Sequence, residues 1–224
     1  MISNETYSEA YVWIWLPNKT EPVVAGLLSK SGNQLVFNYG RSYLQRPDAI
    51  AIYAPELPLI QGALPPLPGL NMPSCIRDAS PDAWGRRVLI NRKLGLKGDA
   101  VKDVELGELT YLLESGSDRI GALDFQSSAT EYVPRQGRYA SLEELMQSAE
   151  MVEQGIPLSP DLNQALQHGS SLGGARPKVL IEDDERKFIA KFSASNDVYN
   201  VVKAEFIAMR LAQEAGLNVA PVQL

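Results

Sequence analysis

One cysteine and one histidine in 224 residues leave little material for metal or redox chemistry. Cys75 has no second cysteine to pair with, as expected of a chain that works in a reducing compartment. With His168 as the lone histidine, Cys-rich zinc sites and most histidine-based metal or triad chemistry are excluded, and no metal site is expected. Positive charge is also scarce. There are 21 Lys and Arg against 27 Asp and Glu, a net charge of −6, so this chain is not expected to be the main contact to nucleic acid. No uninterrupted run of about 18 apolar residues occurs, so no membrane span is expected. The opening Met1-Ile2-Ser3-Asn4-Glu5-Thr6 lacks the basic run and apolar stretch of a signal peptide. The expected location is cytoplasmic.

Enough is present for a real core: 45% of residues are hydrophobic, and the length suits one large domain or two small ones. Residues 11–16, 23–28 and 35–39 are aromatic and branched, as strands are, and Ser31-Gly32-Asn33 marks a hairpin turn between the last two. Pro55, Pro58, Pro65, Pro66, Pro68 and Pro73 forbid a long helix over 53–73, leaving extended chain that serves as scaffold or as an interaction surface. Ser80 and Pro81 predict a helix N-terminus, with Trp84, Val88 and Leu89 at helical spacing and a stop near Gly95. A short helix is predicted over 105–114, then a turn and strand over 118–125. A polar connector follows, and Ser141-Leu142-Glu143-Glu144 has the form of a capping box opening a helix through Met151. From Gly169 the order is loop, strand (178–181), acidic turn, strand (188–192), loop, helix (201–215), Gly216 and a last strand ending at Leu224. The division expected is 1–130, a connector at 131–140, and 141–224.

The chemistry gathers in the second part. In Ser170-Ser171-Leu172-Gly173-Gly174-Ala175-Arg176-Pro177-Lys178, two glycines let backbone amides approach an anion while Arg176 and Lys178 add positive charge. No Ser or Thr follows the lysine and a strand follows the loop, so this is not a Walker motif; by itself it reads equally well as a structural turn. Strand alternation places Ile189, Lys191 and Ser193 on one face, and Phe188, Ala190 and Phe192 on the other. Glu205 shares a helix face with Val201, Val202, Ala208, Met209 and Ala212, where burial of a carboxylate requires a cation, and Lys191 is available. A Gly-rich loop, a strand lysine and a helix glutamate are what a kinase N-lobe uses to hold ATP phosphates. A structural salt bridge is the simpler alternative.

These segments, with Ala204-Glu205-Phe206 and the run from Leu211 to Ala220, resemble the HipA family, the toxin kinases of bacterial HipA–HipB toxin–antitoxin pairs. Pro81-Asp82-Ala83-Trp84-Gly85-Arg86 is similar to the family's Leu-Pro-Asp-Gly-Trp-Gly-Arg region, and Asp118-Arg119-Ile120-Gly121-Ala122-Leu123 to its Asp-Arg-x-Gly-Ala-Leu segment. The resemblance implies an α+β fold, with a β-rich N-terminal subdomain carrying short helices, then a kinase-like N-lobe of antiparallel sheet and one helix. It implies ATP and Mg²⁺ as cofactors, with Gly173, Gly174, Ala175, Arg176, Lys178, Lys191 and Glu205 as the ATP-binding set. Lys191 takes the phosphate-binding role, oriented by Glu205. Ser171, with Ser170 beside it, is the implied autophosphorylation site; roughly −1.5 to −2 added charges there would repel nucleotide. The implied partners are a HipB-like helix-turn-helix antitoxin, through which alone DNA is met, and an aminoacyl-tRNA synthetase substrate, typically glutamyl-tRNA synthetase, whose phosphorylation halts translation and promotes persistence.

The family's catalytic aspartate, its neighbouring asparagine and the metal-binding aspartate lie beyond the helix of Glu205, where only residues 217–224 remain. The catalytic lobe is therefore expected to be absent, no catalytic residue is assigned, and these 224 residues are expected not to transfer phosphate alone. Asp124-Phe125-Gln126 looks superficially like a metal-binding Asp-Phe-Gly, but it precedes the Gly-rich loop. Two readings compete: the N-terminal portion of a HipA-type kinase, and a non-catalytic module that docks an antitoxin or a separate kinase subunit. An unrelated α+β nucleotide binder is a third.

Overall fold

A computed structural model describes residues 7–94, 106–119, 121–135, 140–166, 174–182 and 186–224. The fold class is α+β. Five strands, β1 (Glu9–Ile14), β2 (Val23–Ser31), β3 (Gln34–Tyr39), β4 (Ala63–Leu64) and β5 (Leu123–Gln126), form one antiparallel sheet in the order β4-β3-β2-β1-β5. The β2–β3 hairpin turns at Gly32, whose φ of 59° lies in the left-handed region that glycine enters without steric cost. Among the described residues four helices lie in the connections: α1 (Arg41–Leu44), α2 (Ser74–Asp78), α3 (Ala83–Leu94) and α4 (Glu108–Glu114). Alternation along β1 turns Ala10, Val12 and Ile14 inward, where they meet Leu28, Phe37 and Phe125 from the sheet. Tyr43 of α1, Ile76 of α2 and Leu112 of α4 complete that core.

The proline-rich stretch runs as irregular chain interrupted only by β4 and an isolated Tyr53–Leu57 bridge, as its composition requires. Its Tyr39 and Ile52 contacts are polar anchors: the Tyr39 hydroxyl donates to the Leu57 carbonyl and accepts from the Ile52 amide, both at 2.9 Å. The similar Asp-Arg-x-Gly-Ala-Leu segment supplies a buried charge cluster. Arg119, nearly without exposure, donates to Asp124 Oδ1 (2.9 Å) and to the carbonyls of Ala79 and Leu112. Asp124 also accepts from Arg135 (2.7 Å), Tyr132 (3.0 Å) and Gln126 (3.2 Å). Burial opposes its ionisation, but the Arg135 and Arg119 guanidiniums outweigh that and hold its carboxyl below the usual range. So the Asp-Phe-Gln carboxylate accepts from Arg119, Arg135, Tyr132 and Gln126.

The second part contains α5 (Leu142–Glu153), α6 (Pro160–Ala165), a two-stranded antiparallel ribbon of β6 (Lys178–Glu182) and β7 (Lys187–Lys191), and α7 (Val201–Glu214). The capping box at α5 forms as expected, with Ser141 and Glu144 bonded reciprocally. Besides α4, which starts at Glu108 and not at 105, three details differ from the sequence-based expectation. The helix expected from Ser80-Pro81 begins two residues later, the Asp82 carbonyl accepting its first bond from Arg86. Residues 217–224 form no strand: among the described residues none pairs with their N–H and C=O groups as a ladder would require. The third concerns Glu205 and belongs to the site.

Helix α3 is shared between cores. Trp84 and Val88 join Leu145, Val152, Leu166 and Val179 of the second part, while Leu89 and Ile90 pack with Leu106 and Tyr111. Among the described residues no helix is long and apolar enough to cross a membrane, and no cluster of acidic, Cys or His side chains could hold a metal ion.

Candidate functional site

The register of the β6–β7 ribbon sets the site. Lys178 pairs with Lys191, Leu180 with Ile189 and Glu182 with Lys187. Side chains alternate, so Val179, Ile181 and Ala190 turn toward α3 and α5 while Lys178 and Lys191 share the opposite face. Directly opposed like charges destabilise a strand pair unless anions intervene. Glu205 of α7 supplies one: its Oε1 forms an ion pair with the Lys191 ammonium. The Asn200 side chain caps α7 by accepting from the Lys203 amide at 2.9 Å, which fixes where the helix starts and so which residue faces Lys191.

Glu205 is not buried, contrary to what its place on the apolar face implied: its side chain is 46% exposed and that of Lys191 44%. The physical reason is that α7 covers the ribbon only lightly. Val201, Val202, Phe206, Met209 and Ala212 are half-buried, and no residue of α7 is fully buried. The pairing inferred from the sequence is therefore present, but desolvation is not what enforces it.

Lys178 is the more enclosed lysine, at 7% exposure. Its ammonium lies 2.5 Å from where a β-carbon on Gly174 would sit, and Gly174 has a φ of +107°. That φ favours glycine, and a β-carbon there would in addition have to push the flexible Lys178 ammonium aside. Burial, and then the charge of Lys191, push the Lys178 ammonium below the usual lysine range, with Asp82 and Glu205 pulling the other way. Arg176 is not a free cation at the loop exit: it is ion-paired to Asp197, which also accepts from the Ala194 amide at 3.0 Å. Ala175 is exposed beside it, its carbonyl accepting from Arg87 at 2.7 Å. Gly173, Ser170 and Ser171 lie outside the described residues.

Several contributors were not singled out from the sequence as parts of this site. Asp82 Oδ2 accepts from the Gly174 amide at 2.5 Å, and the Trp84 amide donates to the Gly174 carbonyl at 3.2 Å. The Trp84 indole, at 0% exposure, donates to the Lys178 carbonyl at 2.9 Å. Arg87 bridges to Glu153 of α5, which in turn accepts from the Ser195 amide at 2.6 Å. The start of α3 thus grips residues 174–178 at both backbone and side chain. The signal in the sequence was Pro81-Asp82-Ala83-Trp84-Gly85-Arg86, but nothing in its spacing says that it reaches a loop some ninety residues later.

Comparison with known families fits this geometry. Residues 170–224 match the HipA-like C-terminal domain, the stretch that carries the loop, Lys191 and Glu205. Residues 14–126, slightly more than half of the chain, match the HipA N-terminal domain. The chain belongs to the HipA family. No curated protein matches it in a sequence search. In this HipA-family chain the two matched regions meet at the contact of Asp82 and Trp84 with Gly174 and Lys178.

Proposed function

We propose that this chain is the ATP-gripping portion of a HipA-type serine/threonine protein kinase, with β6, β7 and α7 acting as its N-lobe. The observation that carries the reading is the Lys191–Glu205 ion pair set beside Lys178 under the Gly174 backbone. Exposed ion pairs contribute about 0–1 kcal/mol to stability, too little to explain two lysines held side by side. As a polyphosphate grip the arrangement makes sense: Glu205 orients Lys191 toward the phosphates, Lys178 adds a second cation, and the backbone at Gly174 approaches closely. ATP with Mg²⁺ is the proposed ligand, with Gly173 and Ala175 at the loop, Arg176 beside them tied to Asp197, and Ser171 or Ser170 as the autophosphorylation site. Catalysis in such a kinase requires an aspartate base and a metal-holding aspartate, so these 224 residues alone are expected to bind nucleotide without turning it over.

The family supports a toxin role, with an aminoacyl-tRNA synthetase, typically glutamyl-tRNA synthetase, as substrate, and a HipB-like helix-turn-helix antitoxin as partner in the cytoplasm. Fluorescent-ATP binding tests the core of this. Wild type should bind, and Lys191→Ala should weaken binding at least about tenfold, the loss of roughly one charge-assisted phosphate contact. Equal binding by the two would refute it.

A second reading, a non-catalytic docking module, is favoured by one observation: Ile207, Leu211 and Leu217 are more than half exposed on and after α7. Titration with a purified HipB-like antitoxin separates the two readings. Tight antitoxin binding with no nucleotide binding supports the module.

A further inference from the structure

The Lys178–Lys191 pair is balanced at one end by Glu205, and the other end has its own carboxylate. Asp82, from the start of α3, accepts a hydrogen bond from the Gly174 amide at 2.5 Å and raises the proton affinity of Lys178 through its charge. The row therefore reads Asp82, Lys178, Lys191, Glu205, with a carboxylate at each end of two opposed lysines. The two ends differ. Among the described residues the Glu205 carboxylate hydrogen-bonds the lysine it orients, whereas Asp82 engages a backbone amide of the glycine-rich loop itself.

An amide N–H at 2.5 Å from one acceptor has no room for another, and a carboxylate beside an incoming phosphate repels it. We propose that Asp82 is the resident counter-anion of the phosphate grip, holding the Gly174 amide and balancing Lys178 until an incoming polyphosphate displaces it and takes over both. The proposal rests on the reading of this site as a phosphate grip.

Displacement leaves the loop attached. The Trp84 amide still donates to the Gly174 carbonyl, and the Trp84 indole and Arg87 still hold Lys178 and Ala175. Asp82 is itself exposed, so on displacement its carboxylate turns into solvent, where water replaces the amide it gives up. The N-terminal part of the chain thereby sets the threshold anion strength at which the loop is engaged. A single carboxylate yields to a triphosphate, which carries several charges, more readily than to a monoanion.

The test is binding of Mg·ATP and of inorganic tripolyphosphate to the full 224-residue chain, as wild type, Asp82→Asn and Asp82→Ser. Both variants keep an oxygen that can cap α3 but lose the charge. Both ligands should bind the variants about five- to tenfold more tightly than wild type, with the gap narrowing at high salt. A merely structural Asp82 would give the opposite sign, because loosening Gly174 weakens the site. If wild type and variants bind ATP equally, or the variants bind it more weakly, the counter-anion role is overturned and the nucleotide reading survives. Tripolyphosphate binding that tightens in the variants, with no ATP binding in any form, upholds the counter-anion and sinks the nucleotide reading. If no form binds either ligand, both fail. Circular dichroism melts identify a variant that has unfolded, and the other variant then decides.

Discussion

Trp84→Ala is the perturbation that most directly asks whether α3 belongs to the ribbon's core. The indole is fully buried among Val88, Leu145, Val152, Leu166 and Val179, so truncation opens a cavity costing about 3–5 kcal/mol. It also orphans the Lys178 carbonyl, which loses its 2.9 Å donor, adding about 1 kcal/mol or more. The sum, about 4–6 kcal/mol, is comparable with the whole stability of an ordinary domain. Trp84→Phe separates the two contributions, since it keeps most of the apolar volume and loses only the donor, for about 1–3 kcal/mol. The assay is urea denaturation followed by circular dichroism, with hydrogen exchange read at the amides of β6 and β7. Ribbon amides should lose protection in Trp84→Ala well before amides of β1–β3, whose core lies in another cluster. A cost below about 1 kcal/mol, or loss of protection confined to the five-stranded sheet, would refute the placement of Trp84.

Asp124→Asn leaves Arg119 and Arg135 without their buried counter-charge and should cost about 3–5 kcal/mol in denaturant melts. The pH sign follows from the direction of the shift. Asp124 is held below its ordinary value in the fold, so its stabilisation is fully present above the unfolded value of about 4 and is lost as pH falls through the lower folded value. Acid titration of wild type should show that loss, and the Asn variant should lack it. Gly174→Ala should weaken nucleotide binding, because the added carbon meets the Lys178 ammonium and strains a φ of +107°; unchanged affinity by calorimetry would count against Lys178 lying there. Glu205→Gln should shift the melting temperature little, since the pair is half-exposed, yet weaken ATP binding severalfold; an equal effect on both would make the pair merely structural.

Much of the fold was legible because local signals agreed with it. Gly32 between two branched runs, Ser141 with Glu144, and the alternation around Lys191 each state their structure within a few residues. The Lys191–Glu205 pair was also legible, because a carboxylate on an apolar helix face asks for a cation and the preceding strand offers one. Its burial was not, since amphipathic spacing says which face could be covered and not how deeply α7 is covered. The roles of Asp82, Trp84 and Asp197 were hidden for a different reason. Their partners lie on other elements: Asp82 and Trp84 reach Gly174 and Lys178, and Asp197 takes the charge of Arg176 that a linear reading assigns to the ligand.

The central claim is that Lys191 and Lys178 face the phosphates of a bound nucleotide. An acyl-phosphate derivative of ATP, which transfers its acyl group to an amine held beside the phosphates, tests this on the chain itself by peptide mass spectrometry. The account predicts acylation at Lys191, with Lys178 second, suppressed by excess Mg·ATP and reduced in Glu205→Gln. Labelling spread over exposed lysines such as Lys187 and Lys203, with no protection by Mg·ATP, would contradict it.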